Sequence, residues 1–277
     1  MLRTLLDRLT RTASVAIPDL LWDSTLASLP FLGRLSPFER IRLRALAAQL
    51  LADKQMAGAA ELDLTAAMQV SVAVQACLPV LNLGLEWYRG WKSIVVYPSE
   101  FLVPRSVTDE DGIVHEYVEP ISGEAWDRGP LVLSWEDAQH TSNAAGAAYS
   151  VVIHEFVHKI DQLNGDADGV PPFSALHKQL TGDHWQRVLQ ESLNRFTAEL
   201  ELIGAELPPG LDPESDEVDH YYARLPFDPY AAQDEAEFFA VSSEAFFVAP
   251  VRLQLAFPDW YALLAQFFVQ DPLATRK

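Results

Sequence analysis

Cysteine is nearly absent. Cys77 is the only one in 277 residues, so no intrachain disulfide can form and a reducing, cytoplasmic setting is expected. Positive charge is scarce as well: 20 Lys and Arg stand against 39 Asp and Glu, a formal net charge of −19. A surface of that sign repels nucleic acid and anionic lipid alike, so we expect no direct nucleic-acid partner and no membrane association. Long apolar runs are missing too, and nothing approaches the roughly 20 residues that a membrane-spanning helix needs. The start, Met1-Leu-Arg-Thr-Leu-Leu-Asp7-Arg8-Leu-Thr, breaks its leucines with charge and lacks the continuous apolar region of a secretory leader. Internal repeats and low-complexity linkers are absent. What the chain does have is apolar content, 49%, enough for a packed core in one large domain or two small ones.

One stretch carries chemistry: Tyr149-Ser-Val-Val-Ile-His154-Glu155-Phe-Val-His158-Lys-Ile-Asp161. His154 and His158 are four apart, so on a helix their imidazoles lie one turn above the other and can share a metal ion. Glu155 follows the first directly. That offset turns its carboxylate away from the metal yet leaves it in reach of a water proton there. Asp161, three residues after His158, returns to the same face and can accept the second ring N–H of a ligand histidine. A solvated aspartate in the last turn is the plainer alternative for it. Asn164-Gly165 then supplies a helix stop.

The N-terminal part reads as helical. Leu2, Leu5, Leu6 and Leu9 have helical spacing, and Pro18 ends or kinks that segment. Ser36-Pro37-Phe38-Glu39 is a helix start, with a Ser cap, Pro at the first helical position and Glu three after the cap. The helix it opens is expected to turn Ile41, Leu43, Leu46, Leu50 and Leu51 inward and Arg40, Arg42 and Arg44 outward. A third helix, Thr65 to about Leu83, is apolar on most sides and expected to be central, bent by Pro79, with Cys77 as core filler.

After Gly90 the period changes. Ser93-Ile-Val-Val-Tyr97 and Gly129-Pro-Leu-Val-Leu-Ser-Trp135 read as strands of a small sheet just before the histidine helix. Between them, His115-Glu116-Tyr117-Val118-Glu119 begins like the metal motif but has Glu119 where a second histidine is needed, and its alternation suggests an exposed strand. Asn164 to Gly169 resembles the front of a calcium loop, but Ala175 occupies the position of the bidentate glutamate, so a turn-rich loop fits better. Helices are expected from about Pro172 to Gly204, carrying His177 and His184 at the surface, and Glu206 to Asp219 as an acidic exposed loop.

A catalytic zinc needs a third protein ligand and an open position. The segment from Tyr230 to Phe247 reads as an Asp234-capped helix with Phe238, Phe239, Val241 and Phe246 buried. Glu235, Glu237 and Glu244 on it are all candidate ligands, and spacing does not choose among them. A capping-box role is the alternative for Glu237, three after Asp234.

The chain resembles the Mlc titration factor A family of bacterial zinc metallopeptidases over essentially its whole length. The matching stretches are Leu50-Leu-Ala-Asp-Lys54, Gln75 to Leu81, Val95-Val-Tyr-Pro98 with Phe101, Gly129 to Trp135, His154 to Asp161 and Ala236-Glu-Phe-Phe-Ala240. Its latter half is also similar to the protease domain of anthrax lethal factor, which has a His-Glu-Phe-x-His helix and a later Glu-Phe-Phe-Ala. The resemblance implies Glu237 as third zinc ligand and Tyr230, seven residues upstream, as an oxyanion donor. Lethal factor carries a further glutamate after Phe-Phe-Ala where this chain has Val241, which puts any outer-shell role of that position in doubt.

The expected fold is α+β and mostly helical, a zincin-like metallopeptidase core with a small sheet (residues 91–277) behind an N-terminal helical subdomain (residues 1–90). The expected activity is peptide hydrolysis with one zinc ion (Zn2+) per chain on His154, His158 and Glu237, and with Glu155 moving the proton. Amino- and endopeptidase specificity both stay open. The Leu131 to Ser134 strand is expected to align an extended peptide. The family name also implies a second partner, a DNA-binding repressor of the Mlc type, so the alternative is a protein that acts chiefly by sequestering it.

Overall fold

The computed structural model describes residues 15–108, 114–121, 123–125, 129–140, 149–208, 211 and 218–274, with the backbone alone for 102–108, 114–121, 124 and 219. The helical spacing of Leu2 to Leu9 lies outside these residues, as does most of the acidic 206–219 segment.

The N-terminal part holds a short, mostly exposed helix, α1 (Asp19–Ser28), and two capped helices. In α2 (Pro37–Asp53), Ser36 Oγ accepts from Glu39 N at 3.3 Å and Glu39 Oε2 accepts from Ser36 N at 2.8 Å, the reciprocal box that the sequence suggests. Its inner face is Leu43, Ala47 and Leu50. Ile41 was expected among them. It lies instead 69% exposed beside Arg42, because the buried stripe runs through 43, 47 and 50 and leaves 41 on the far side. The central helix α3 (Ala66–Cys77), capped by Thr65, is buried on nearly every side. It stops at Cys77 rather than bending on to Leu83. Pro79 has no N–H to continue the ladder, and the chain leaves through turns in which Leu78 O and Val80 O accept from Leu81 N and Gly84 N.

Four strands form one sheet in the order β1 (Gln55–Gly58), β2 (Ser93–Tyr97), β6 (Leu131–Ser134), β5 (Gly123–Ala125). The first three run parallel, and β5 is antiparallel to β6. All four residues of β6 are buried, as a strand paired on both sides requires. That overturns the expectation that β6 aligns a substrate by strand addition, since both its edges are already bonded. Among the described residues the outer strands of this sheet are β1 and β5. β3 (Phe101–Thr108) and β4 (Val114–Ile121) make a separate antiparallel pair, and the motif-like His115 to Glu119 lies within β4.

A short helix, α4 (Trp135–Gln139), follows β6 and precedes the histidine helix α5 (Val151–Asp161). The helix expected from Pro172 begins only at Gly182: α6 spans Gly182–Glu206, and the residues before it are turns that bury His177. His184, at the start of α6, is exposed as expected. α7 (Asp219–Tyr222), α8 (Glu235–Val248), α9 (Pro250–Ala256) and α10 (Pro258–Phe268) complete the chain. α8 is buried around its circumference and packs directly on α5. Its Phe239 packs against Trp185, Trp260 and Phe267, the Trp185 and Trp260 rings lying 4.8 Å apart. The fold is α+β and mostly helical. Among the described residues no helix is long and apolar enough to cross a membrane.

Candidate metal centre

Ser150 opens α5, its Oγ accepting from Ile153 N at 3.3 Å. Val152, Ile153, Phe156, Val157 and Ile160 anchor the helix in the core, which leaves His154 and His158 on the side that meets α8. On α8, Asp234 caps the first turn by accepting from Glu237 N at 2.9 Å, so the Glu237 side chain is held at the helix entrance.

Among the described residues, His154, His158 and Glu237 form the one group able to hold a metal ion. Their donor atoms make a small triangle: His154 Nε2 to His158 Nε2 is 3.0 Å, His154 Nε2 to Glu237 Oε2 is 3.1 Å and His158 Nε2 to Glu237 Oε2 is 3.3 Å. A tetrahedral ion with bonds of about 2.05 Å needs ligand atoms about 3.3 Å apart, so the donor set fits a zinc-sized cation. The electrostatics agree. Burial disfavours charge on His154, but the Glu237 and Glu244 carboxylates overcome it and raise its pKa well above the usual histidine value. Burial likewise opposes charge on Glu237, and the two imidazoles reverse it, holding Glu237 well below the usual carboxylate range. A pocket that draws positive charge this strongly suits a metal cation as well as a proton.

Of the other two glutamates that spacing left open, Glu235 stands outside this group. Glu244 is 2% exposed and bonded to the far side of the ring: His154 Nδ1 donates to Glu244 Oε1 at 2.9 Å, which leaves the Nε2 lone pair facing the triangle. Glu244 thus makes, from α8, a histidine contact that Val241 has no polar atom to make. The sequence held a signal for this, because Glu237 and Glu244 are seven apart, two turns along one face of α8. Asp161 gives one oxygen to the backbone, and its Oδ1 is buried without a hydrogen-bond partner. It is fully buried, and its Oδ2 accepts from Gly169 N at 2.7 Å, while burial lifts its pKa to about 7 against the pull of that N–H.

Glu155 is 4% exposed, with Oε2 buried and without a hydrogen-bond partner. Burial pushes its pKa up to about 7, against the two imidazoles. The edge strand β5 lies on it: a Cβ at Gly123 would stand 2.5 Å from Glu155 Oε1 and 2.7 Å from its Cγ, so only glycine allows this approach. Tyr230 sits in a 3-10 turn (Pro229–Ala232) whose cap, Asp228 Oδ1, accepts from Tyr230 N, and its ring centroid is 6.3 Å from that of His154.

Gly169 packs against the entrance of α8. It adopts φ +75°, and a Cβ there would collide with the Glu235 carbonyl at the first turn of α8. Its own carbonyl accepts from Trp185 Nε1 at 2.7 Å. One backbone unit therefore joins the end of α5, through Asp161, to α6 and α8.

Comparison with known proteins accords with this arrangement. The profile of the glucose-regulated metallo-peptidase M90 family matches residues 4–269. The chain is 36% identical over 257 residues to Mlc titration factor A of Klebsiella pneumoniae subsp. pneumoniae, covering 92% of this chain and 88% of that protein. It is 35% identical over 254 residues to Mlc titration factor A of Salmonella arizonae, covering 92% of each. A match of this extent to both the profile and its relatives shows that the chain belongs to the glucose-regulated metallo-peptidase M90 family.

Proposed function

We propose that this protein is a zinc-dependent peptidase that hydrolyses peptide bonds with His154, His158 and Glu237 as metal ligands and Glu155 as general base. The observation that carries the reading is the triangle of donor atoms 3.0 to 3.3 Å on a side, with a buried carboxylate on the residue after the first histidine. Bound there, zinc would supply Lewis acidity toward the scissile carbonyl and make a nearby water easier to deprotonate. The chain supplies the rest. Glu155, with an unpartnered oxygen and a pKa of about 7, is suited to take a proton from the attacking water and return it to the leaving amine. Tyr230, beside His154, would donate its phenol hydrogen to the oxyanion, a contact whose loss typically costs about a hundredfold or more in rate. A cytoplasmic setting fits the single cysteine.

The test separates ligand from base. Metal analysis of Glu237→Ala should show greatly weakened zinc retention, whereas Glu155→Gln should retain zinc and lose nearly all hydrolysis of a peptide substrate. Full zinc retention in Glu237→Ala, or near wild-type turnover in Glu155→Gln, contradicts these roles.

A second reading comes from the relatives, which are named for titration of Mlc. Under it, the chain binds a Mlc-type repressor, with or without cleaving peptides. Capture of purified repressor by wild type and Glu155→Gln alike, unaffected by a peptide substrate, favours a binding surface outside the cleft. Capture that a peptide blocks places the repressor in the cleft.

A further inference from the structure

Gln75 is a polar residue with 0% exposure in the last turn of the apolar helix α3, and neither the metal ligands nor the proposed reaction uses it. Its amide is orientated without ambiguity. Nε2 donates to Ala138 O at 3.1 Å, and a carbonyl can only accept, so Oε1 is the atom that faces Ser150. Ser150 Oγ donates to it at 2.9 Å and keeps a lone pair for the Ile153 N–H that caps α5. Ser150 N in turn donates to Glu244 Oε2 at 2.5 Å, and Glu244 Oε1 accepts from His154 Nδ1 at 2.9 Å. Gln75 and Ser150 are fully buried and Glu244 almost so, and Gln75 Nε2 also donates to Ser71 Oγ at 3.4 Å, one turn back on α3.

We propose that Gln75 is a positioning residue of the metal centre, acting through Ser150 and Glu244 to fix the ring of His154. The proposal rests on the zinc reading above. Its physical basis is that each link removes a freedom the next one needs. Gln75 bonds to both Ala138 and Ser150, the residues flanking the connection from α4 to α5, so it sets where the histidine helix begins. Ser150 hydroxyl and N–H then act on different partners, one holding the backbone to α3 and the other holding the Glu244 carboxylate. With both its oxygens committed, Glu244 cannot rotate away from His154, and the Nε2 lone pair stays on the triangle. The N-terminal helical region thereby contributes to the metal centre itself, and the stretch from Gln75 to Leu81 acquires a chemical role beyond filling the core.

The experiment uses the full chain with Gln75→Leu, Glu244→Gln and, as a control, Tyr88→Phe. The control removes a buried bond from Tyr88 Oη to Ala76 O on the same helix without touching the relay. Two readouts are taken: zinc affinity by competition with a chromophoric chelator, and the NMR signal of the His154 Nδ1 proton in metal-free protein, which a carboxylate bond shifts downfield and protects from exchange. Loss of an outer-shell partner typically weakens metal binding by roughly 10- to 100-fold. Glu244→Gln, which offers one oxygen where two donors need acceptors, should fall in that range and lose the downfield proton. Gln75→Leu should weaken zinc binding by roughly tenfold and speed exchange of that proton, while Tyr88→Phe leaves both at wild-type values. If Gln75→Leu matches Tyr88→Phe in both readouts, the relay is wrong and Gln75 only supports the fold. If wild type binds no zinc but the proton still responds in Gln75→Leu, the relay stands and the zinc reading falls.

Discussion

Replacing Gly123 by alanine should slow catalysis without loosening the metal. The added Cβ would stand 2.5 Å from Glu155 Oε1 and 2.8 Å from its Cδ, where ordinary contact begins at 3.4 Å, so the carboxylate or the strand must retreat by about 0.9 Å. The carboxylate has little space to move. Glu155 is 4% exposed and its other oxygen already buried, and β5 is held to β6 through Gly123 and its neighbours. A misplacement of about 1 Å in a catalytic group costs on the order of a hundredfold in rate. Overpacking of this kind should also lower stability by about 1 to 3 kcal/mol. The assay is steady-state hydrolysis of a peptide, with zinc affinity and thermal unfolding measured on the same preparation. The expected pattern is a kcat lowered by roughly a hundredfold at wild-type zinc affinity. Wild-type kcat would show that β5 yields at no cost and that the close approach has no part in holding Glu155. A fall in zinc affinity equal to the fall in rate would place the damage in the ligands instead.

Two further predictions concern pH. Asp161 has a folded pKa of about 7 against 3.8 for the free side chain, so its stabilising contribution is complete below about pH 4 and is lost as pH rises toward 7; Asp161→Asn, which still accepts from Gly169 N, should flatten unfolding free energy over that window, and an unchanged slope refutes the assignment. His177 is held neutral: Ser174 N donates to its Nδ1 at 3.0 Å and its Nε2 donates to Phe267 O at 2.9 Å, with burial lowering its pKa. Protonation would set two donors against each other at Ser174, so stability should decline as pH falls below about 6.5, and His177→Gln, which can accept and donate at the same two places, should lose that decline in denaturant titrations.

How much of this was legible in the sequence depends on whether the determinant was local. The Ser36 box, the Ser93 strand and the Asp234-capped helix were readable because each signal lies within one turn or one alternation of the residues it organises. β1 was not. Gln55-Met-Ala-Gly58 has no β-branched residue, and it becomes a strand by pairing with β2, a partner over thirty residues away. β6 was readable as a strand, but its interior place in the sheet was not, since β1 and β5 flank the β2–β6 pair through pairings that leave no mark on β6 itself. Helical spacing run back to Pro172 puts His177 at the surface; the turns that bury it against Phe267 and Trp87 are tertiary. At the metal centre the histidine pair was plain. The relation between Glu244 and Ser150, 94 residues apart, could emerge only once α8 lay on α5.

Gly169 sets the scale of that centre in a way no side chain could. Its backbone meets the Asp161 carboxylate at the end of α5 on one side and the Glu235 carbonyl, two residues before Glu237, on the other. The spacing between the end of α5 and the entrance of α8, and with it the setting of Glu237 beside the histidines, is gauged by this one backbone unit and one buried carboxylate. A methyl group at that position would act as a wedge, prising Glu237 from His154 and His158 and enlarging the triangle. The wider triangle would stretch the bonds of about 2.05 Å that a zinc-sized ion needs and loosen its hold. Ion size, on this view, is written into a contact that contains no ligand at all.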